Sequence, residues 1–326
     1  MNSFEWIDAH SIEEAVHLLG ANSAGASTVA KAGGMDLLDL MKEGLVQPKR
    51  VVNLKTIAGL NDIHVDAQGA VRIGALTTLA RIAHEPAILA HFGALAAAAN
   101  HAATPQVRNV ATIAGNLLQR PRCWYFRNAH FARADVIAAV REGENQYHGI
   151  FGTDRTPLVH ASTPATALLA YDATIHVLSS RGQRSIAIRD FFLPPDPTRD
   201  SDVALDAGEV ITHITLPPLP VGSVSTYHKQ TERDSYDWPI CDVAVVLSLG
   251  DNRVVRHAAI ALGWVAPTPI RAREAEQLLV GRMIDISRAR EAATSIAQHA
   301  KPLSKNAYKI DVLKVVVERT LLNAAQ

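Results

Sequence analysis

Two short turns rich in glycine and other small residues are the parts of this chain that could bind an anionic ligand. The first connects an apolar segment to a predicted helix and comprises Lys31, Ala32, Gly33, Gly34, Met35 and Asp36. Adjacent glycines can adopt positive φ and let a ligand approach the backbone, and the N–H groups of such a turn suit a pyrophosphate. A plain strand-to-helix turn would explain the glycines alone, and Asp36 would repel phosphate unless it points away as a helix cap.

The second turn carries more polar side chains than a structural turn requires. Its candidate ligand-binding residues are Arg108, Thr112, Ala114, Gly115 and Asn116. Thr112 and Asn116 offer short-range hydrogen bonds, and the small residues between them permit close approach of the backbone to a ligand. The two turns lie about a domain's width apart in the sequence. Together they predict one elongated, phosphate-bearing ligand that is held from two sides.

Other nucleotide-binding and catalytic motifs are absent from the sequence. No two glycines are separated by a single residue, which excludes the Gly-x-Gly-x-x-Gly fingerprint of a Rossmann-type NAD site. The Walker P-loop, the His-Glu-x-x-His zinc motif and the Gly-x-Ser-x-Gly nucleophile elbow are also missing. We therefore predict neither a catalytic side chain nor a metal site in this chain.

Composition and charge are those of an ordinary globular protein. Hydrophobic residues make up 48% of the chain, and Lys+Arg and Asp+Glu balance at 32 each. We expect no nucleic-acid partner, because that would need a basic excess or stripe. The N-terminus lacks an export signal and no apolar run could span a bilayer, so we expect no direct membrane insertion. A cytoplasmic location is predicted, with export to the periplasm beside a signal-bearing partner as the alternative.

The predicted order of helices and strands indicates an α+β fold. Ser11 and Glu14 form a capping box that begins a helix, and the alanine-rich residues 86–103 predict another helix. Apolar segments at 63–65 and 210–216 predict strands, and residues 174–178 and 184–188 predict a hairpin that turns at residues 181–182. Weak periodicity from residue 119 to about 154 indicates an insert. The proline cluster at 217–220 predicts a domain boundary, which divides the chain into residues 1–218 and residues 219–326.

Four stretches of the sequence carry a resemblance to a known family. They are KAGGMDLLDLMKEG (31–44), TPQVRNVATIAGNLLQRPRCWYFRN (104–128), the region 229–233, and ALGWVAPTPIRAREAEQLLVG (261–281). With these stretches the chain resembles the FAD-binding medium subunits of the molybdenum hydroxylases, the xanthine dehydrogenase family, and within it the bacterial three-subunit aldehyde oxidoreductases. The resemblance implies a two-part PCMH-type FAD-binding domain followed by a small C-terminal α+β domain of the CO dehydrogenase flavoprotein type.

The resemblance also implies a place in a heterotrimer that oxidises aldehydes or N-heterocycles. Substrate oxidation would occur at a molybdopterin centre in a large partner subunit. Electrons would pass through two [2Fe–2S] clusters in a small partner subunit to FAD in this chain, and from FAD to an external acceptor. The backbone of residues 32–35 would hold the pyrophosphate together with Thr112 and Asn116, Lys31 would add charge, and Lys229 would lie near the flavin.

The sequence departs from the family pattern at three places. Relatives in the nearest branch hold a [4Fe–4S] cluster with four cysteines in the insert, whereas this chain has Cys123 there and Cys241 far away. Because such clusters require four thiolates, we expect no iron–sulfur cluster in this chain and an insert held by packing around Trp124, Tyr125 and Phe126. Ala114 replaces a family glycine. Thr163 stands where the family commonly has a carboxylate near the flavin.

These departures leave two alternatives to the electron-carrying role. The first is a redox-silent structural subunit that has lost its cofactor but keeps the fold and its partner surfaces. The second is a free-standing flavin oxidase, which the lack of an obvious covalent-flavin motif disfavours.

Overall fold

The computed structural model describes residues 1–20, 27–234 and 236–326. The strands are β1 (Glu5–Asp8), β2 (Thr28–Lys31), β3 (Arg50–Asn53), β4 (Ile63–Val65), β5 (Val71–Gly74), β6 (Thr174–Ser179), β7 (Gly182–Ala187), β8 (Val210–Leu216), β9 (Ser223–Gln230), β10 (Cys241–Leu249), β11 (Val255–Gly263) and β12 (Ile270–Arg271). The helices are α1 (Ile12–Gly20), α2 (Leu37–Lys42), α3 (Leu79–His84), α4 (Pro86–His91), α5 (Gly93–Asn100), α6 (Pro105–Arg108), α7 (Ile113–Leu117), α8 (Val136–Glu142), α9 (Thr163–Ala170), α10 (Ile188–Phe191), α11 (Arg273–Leu279), α12 (Ile286–Ala297) and α13 (Tyr308–Ala325).

A small parallel sheet at the N-terminus places the first glycine turn. Its strand order is β1-β3-β2, and both pairings with β3 are parallel. Helix α1 begins at the predicted capping box, in which Glu14 N donates to Ser11 Oγ over 3.1 Å. The Glu14 carboxylate in turn accepts a bond from His10 N over 2.7 Å. Strand β2 ends at Lys31, so the turn leaves the sheet at its edge.

An antiparallel sheet of five strands combines segments from before and after the insert. Its order is β4-β5-β8-β6-β7. The register aligns Ile73 with Ile214 and Ile214 with Ile175, which gives a continuous buried apolar row across the central strands. The predicted hairpin of β6 and β7 is present, with its turn at residues 180–181. The expected long helix at 86–103 is instead two helices, because the backbone at the fully buried Phe92 is non-helical.

The third sheet, of order β12-β11-β10-β9, joins two hydrophobic cores. Side chains of β10 alternate between them: Val243 and Val245 pack with α11–α13, whereas Ala244 packs with the core of α5 and α9. Such burial on both faces explains why β10 reads as an almost continuous apolar run. Asp242 is buried in this strand and accepts hydrogen bonds from Tyr227 and Thr166, and burial raises its pKa to about 7.

The insert contains a 3₁₀ turn and helix α8, and it packs against α2 and the C-terminal helix. Phe126 is buried with Val136 and Val140, and Tyr125 packs against the same cluster. Trp124 is 41% exposed and makes edge-on ring contacts with Tyr125, Tyr147 and His148. The insert thus packs around the three expected aromatic residues, with Trp124 at its surface. Lys309 of α13 ties the end of the insert to the third sheet through bonds to the carbonyl oxygens of Tyr147, His148 and Trp264. Burial lowers the pKa of Lys309 to about 7.

Candidate functional site

A cavity of about 950 Å³ lies between the parallel sheet, the insert and the third sheet. Its walls include the first glycine turn, the second turn, and residues of the segment that joins β9 to β10. We call it the central cavity. Ligand pockets commonly have volumes of about 300–1,000 Å³, so this cavity is large enough for a dinucleotide-sized ligand.

Within the described residues, no helix is long and apolar enough to cross a membrane.

The two predicted turns contact each other directly. A Cβ added to Gly33 would lie 2.4 Å from the carbonyl oxygen of Val110, in the segment that leads into the second turn. A Cβ added to Gly115 would lie 4.0 Å from Ala32 Cβ and 3.0 Å from Thr112 Oγ1. At position 33, only a residue without a side chain permits this packing. The turns therefore form one continuous strip of the cavity wall rather than two opposing sides.

The first turn leaves backbone donors available for a ligand. Within the described part of the chain, the N–H groups of Ala32, Gly33, Gly34 and Met35 have no hydrogen-bond acceptor. Gly34 has a φ of +78°, which only glycine adopts without strain. All four residues line the central cavity. Clustered free N–H groups form an anion-binding concavity, and this arrangement fits the pyrophosphate of FAD.

The backbone N–H groups of the second turn already donate hydrogen bonds to other atoms of the protein. Ala114 N donates to Ala75 O over 3.1 Å, and Asn116 N donates to Thr112 O over 2.8 Å. Gly115 N donates to Thr112 Oγ1, which makes Thr112 the N-cap of α7. Asn116 Oδ1 accepts a bond from the Ser162 hydroxyl. This turn thus lets a ligand approach the backbone closely and offers it the side-chain amide nitrogen of Asn116, whereas its backbone N–H groups at Ala114, Gly115 and Asn116 are already used within the protein.

Asp36 does not cap α2. Its carboxylate accepts a hydrogen bond from Arg120 N over 2.9 Å, and it pairs with the guanidinium groups of Arg122 at 3.0 Å and Arg127 at 2.5 Å. Arg127 also pairs with Asp39 at 2.6 Å. The negative charge that the sequence placed next to a phosphate is therefore neutralised by arginines of the insert. The last residue of the first turn thus acts as the attachment point of the insert.

The other predicted site residues are distributed unevenly around the central cavity. Lys31 lines it, with its ammonium 5.1 Å from the centre of the Trp6 ring. Thr163 lines it too, and its hydroxyl donates to Ala98 O over 3.0 Å. Arg108 is not part of the wall: its guanidinium binds the carbonyl oxygens of Ala102 and Ala103, at 3.0 and 2.7 Å. Arg108 therefore holds the loop before the second turn.

Lys229 reaches the central cavity from β9. Its ammonium donates to His101 O over 2.8 Å, which leaves its remaining protons for the cavity side. Burial lowers the pKa of Lys229, while the carboxylates of Asp242 and Asp237 act in the opposite direction. A lysine held in this way supplies positive charge close to the wall of the cavity.

The central cavity is also lined by residues that the sequence did not assign to the site, among them Arg120, Trp238 and Trp264. Arg120 is buried and pairs with Asp202 at 3.0 Å, while its guanidinium also donates to Arg199 O and Asp196 O. Trp238 lies in the segment before β10, and Trp264 directly follows β11. The many arginine and aromatic residues of the insert were the sequence signal that could have indicated Arg120. Nothing in the local pattern distinguished the two tryptophans.

The surroundings of Cys123 do not fit an iron–sulfur cluster. Its sulfur lies 3.1 Å from His148 Nε2, and burial raises the pKa of the thiol to about 11. Cys241 is buried in β10, in a different core. Within the described residues, no group of three or more His, Cys, Asp or Glu side chains could hold a metal ion. A four-thiolate site cannot be assembled from this donor set.

Comparisons with known proteins agree with the geometry of the cavity. Residues 2–219 match the family described as the FAD binding domain in molybdopterin dehydrogenase, and residues 226–324 match the CO dehydrogenase flavoprotein C-terminal domain. The aldehyde oxidoreductase FAD-binding subunit PaoB of Escherichia coli is 33% identical over 90% of each chain. The nicotine 6-hydroxylase medium subunit of Paenarthrobacter nicotinovorans is 31% identical over 96% of this chain and 94% of its own.

Solved structures confirm the predicted α+β architecture. A carbon monoxide dehydrogenase from Hydrogenophaga pseudoflava superposes with a TM-score of 0.78 at 26% identity, covering 99% of this chain and 97% of that one. Quinoline 2-oxidoreductase from Pseudomonas putida gives a TM-score of 0.77 at 25% identity, over 100% and 98% of the two chains. The chain therefore belongs to the FAD-binding medium subunits of the xanthine dehydrogenase, or molybdenum hydroxylase, family, and is a subunit of an oxidoreductase with FAD as its cofactor.

Proposed function

We propose that this chain relays electrons within a heteromeric molybdenum hydroxylase. It takes them from [2Fe–2S] clusters in a small partner subunit and passes them through FAD to an external acceptor. Substrate oxidation takes place on a large molybdopterin-binding partner. The observation that carries the proposal is the cluster of four free N–H groups in residues 32–35 beside a cavity of about 950 Å³.

In this proposal the chain supplies binding and electrostatics, while bound FAD supplies the redox chemistry. The backbone of Ala32, Gly33, Gly34 and Met35 binds the pyrophosphate, and Lys31 adds positive charge. The Asn116 amide supports the same end of the ligand. Residues 1–218 form the FAD-binding domain, and residues 219–326 close the cavity from the side of Lys229. No side chain of this chain needs to act as a general acid or base.

The substrate class follows from the names of the relatives. One is the FAD-binding subunit of an aldehyde oxidoreductase, and another is the medium subunit of a nicotine hydroxylase. We accordingly propose an aldehyde or an N-heterocycle as the substrate of the complex.

The relay is tested in the complex purified from its native source, with an aldehyde as reductant. Removing FAD should leave reduction of the [2Fe–2S] clusters intact by electron paramagnetic resonance, while acceptor reduction falls to background and returns when FAD is added. A complex without flavin absorbance, or one that reduces its acceptor equally well after FAD removal, would mark this chain as a scaffold.

Lys229→Met is expected to lower the midpoint potential of bound FAD. The half-buried ammonium stabilises the negative charge that reduction places on the flavin, and this attraction is strengthened by partial exclusion of water. A loss of about 1.4 kcal/mol corresponds to about 30 mV for a two-electron couple. The potential is measured by spectroelectrochemical titration of the FAD-loaded chain.

Lys314→Met provides the control, because Lys314 lies on α13, pairs with Asp311 and does not line the central cavity. Its substitution should leave the potential unchanged. An equal potential in wild type and Lys229→Met would rule out the electrostatic role of Lys229.

A further inference from the structure

The side-chain amide of Asn116 is held in one orientation in the wall of the central cavity. Its oxygen, Oδ1, accepts a hydrogen bond from the Ser162 hydroxyl. Its nitrogen, Nδ2, donates to no acceptor in the described part of the chain but keeps accessible surface, and Asn116 lines the central cavity. The neighbouring Gly115 lies against Ala32 of the first turn. The free NH₂ group of Asn116 therefore belongs to the same strip of cavity wall as the free backbone donors of the first turn.

The hydrogen bonds of Ser162 favour this orientation of the amide over the reverse one. Ser162 is 1% exposed, and its Oγ accepts a bond from Ala165 N over 3.1 Å. Its hydroxyl proton is donated to Asn116 Oδ1, and the described residues offer it no other acceptor. If the amide turned round, Nδ2 would face Ser162 and the buried hydroxyl proton would lose its partner. Leaving a buried donor unpaired is unfavourable, so the hydroxyl selects the orientation that presents nitrogen to the cavity.

His160 holds Ser162 against α7. Its Nδ1 accepts a bond from Ser162 N over 3.3 Å, so the ring proton sits on Nε2, which lies 3.2 Å from Leu117 O. His160 is buried, and burial lowers its pKa to about 4, which keeps the ring neutral at physiological pH. Residues 160–162 are thus joined to α7 at two adjacent positions, Asn116 and Leu117.

Capping of α9 explains the oxygen of Ser162 but not the use of its proton. Ser162 is the N-cap of α9, a role that requires only an acceptor for a backbone N–H group. Donation to Asn116 adds nothing to the cap. A pyrophosphate offers acceptor atoms only, so an amide beside it must present its NH₂ group rather than its oxygen. The Ser162 hydroxyl meets this requirement.

We propose that Ser162 is a positioning residue of the cofactor site, which holds the Asn116 amide with its NH₂ group toward the pyrophosphate of FAD. His160 fixes Ser162 in turn. Because the amide is oriented before the ligand arrives, binding does not have to order it. Ser162 does not line the central cavity, so its effect on affinity passes through Asn116. This inference rests on the proposed binding of FAD.

The proposal is tested by calorimetric titration of the full-length chain with FAD, in a double-mutant cycle of Ser162 and Asn116. Asn116→Ala should raise the dissociation constant about ten- to hundredfold, because it removes a hydrogen bond to a charged group. Ser162→Ala should raise it about two- to tenfold, because the amide is no longer ordered in advance. In the Asn116→Ala background, Ser162→Ala should have no further effect on affinity. Ser162→Thr keeps the hydroxyl and should bind FAD as tightly as the wild type.

Phosphorus NMR of bound FAD separates positioning from folding. The pyrophosphate resonances should move in Ser162→Ala in the same direction as in Asn116→Ala. Asp285→Ala is the matched control, since Asp285 caps α12 by accepting a bond from Arg288 N over 2.7 Å and lies outside the cavity wall. Both cap variants should lower the unfolding temperature of the FAD-free chain, but Asp285→Ala should leave the FAD affinity and the resonances unchanged.

Three results would contradict the role of Ser162. They are wild-type FAD affinity in Ser162→Ala, a loss of affinity that persists in full in the Asn116→Ala background, and an equal loss of affinity in Asp285→Ala. Failure of the wild-type chain to bind FAD would instead overturn the proposed function itself.

Discussion

Gly33→Ala is expected to weaken FAD binding by about ten- to hundredfold. The added Cβ would lie 2.4 Å from Val110 O and 3.1 Å from Ala111 Cα, and both are backbone atoms that cannot rotate away. The first turn must therefore move off the second, which breaks the continuous strip of cavity wall. Overpacking of this kind costs about 1–3 kcal/mol, and each 1.4 kcal/mol corresponds to a tenfold change in affinity. Titration of the full-length chain with FAD measures the effect.

Gly20→Ala is the control for this substitution. Among the described residues, a Cβ at Gly20 would meet nothing within 4 Å, and Gly20 is the last residue of α1. Alanine is favoured over glycine in helices by up to about 1 kcal/mol, so stability should hold or rise and FAD affinity should not change. Equal FAD affinity in Gly33→Ala and wild type would show that the contact between the two turns does not shape the cofactor site.

Local sequence signals predicted most of the strands because their apolar runs are short and bounded by turn residues. The strands at 63–65 and 210–216 have the expected limits, and the hairpin turns where Gly182 permits a positive φ. The helix at 86–103 was overestimated because alanine favours helix throughout. The interruption depends on the burial of Phe92, which is a tertiary property. Helix α3 was not predicted, although Thr78 caps it with a hydrogen bond from Arg81 N.

The sequence indicated where the candidate site lies, but it could not show which of its residues have hydrogen-bond donors free for a ligand. Glycines mark where a backbone makes a close approach, and both turns lie in the cavity wall. Whether an N–H group is free depends on partners such as Ala75 O, far away in the sequence.

Asp36→Asn is expected to destabilise the chain by about 3 kcal/mol. The neutral side chain would remove the carboxylate that Arg122 and Arg127 contact at 3.0 and 2.5 Å, at a position where Asp36 is 14% exposed, and would leave both guanidinium groups to the more exposed Asp39. Hydrogen bonds to charged groups contribute about 1.5–3 kcal/mol each, and removing one partner of a buried ion pair costs about 3–5 kcal/mol. The free energy of unfolding is measured by urea denaturation.

Asp39→Asn separates this effect from a general loss of charge. Asp39 pairs with the same Arg127 but is 47% exposed, so its removal should cost less than about 1 kcal/mol. Asp36→Asn should also weaken FAD binding, because Asp36 directly follows residues 32–35 and its pairs with Arg122 and Arg127 hold the insert against them, whereas Asp39→Asn should not. Equal losses of stability in the two variants would contradict the assignment of Asp36 as the attachment point of the insert. Its negative charge beside the proposed pyrophosphate site would then weaken cofactor binding rather than support it.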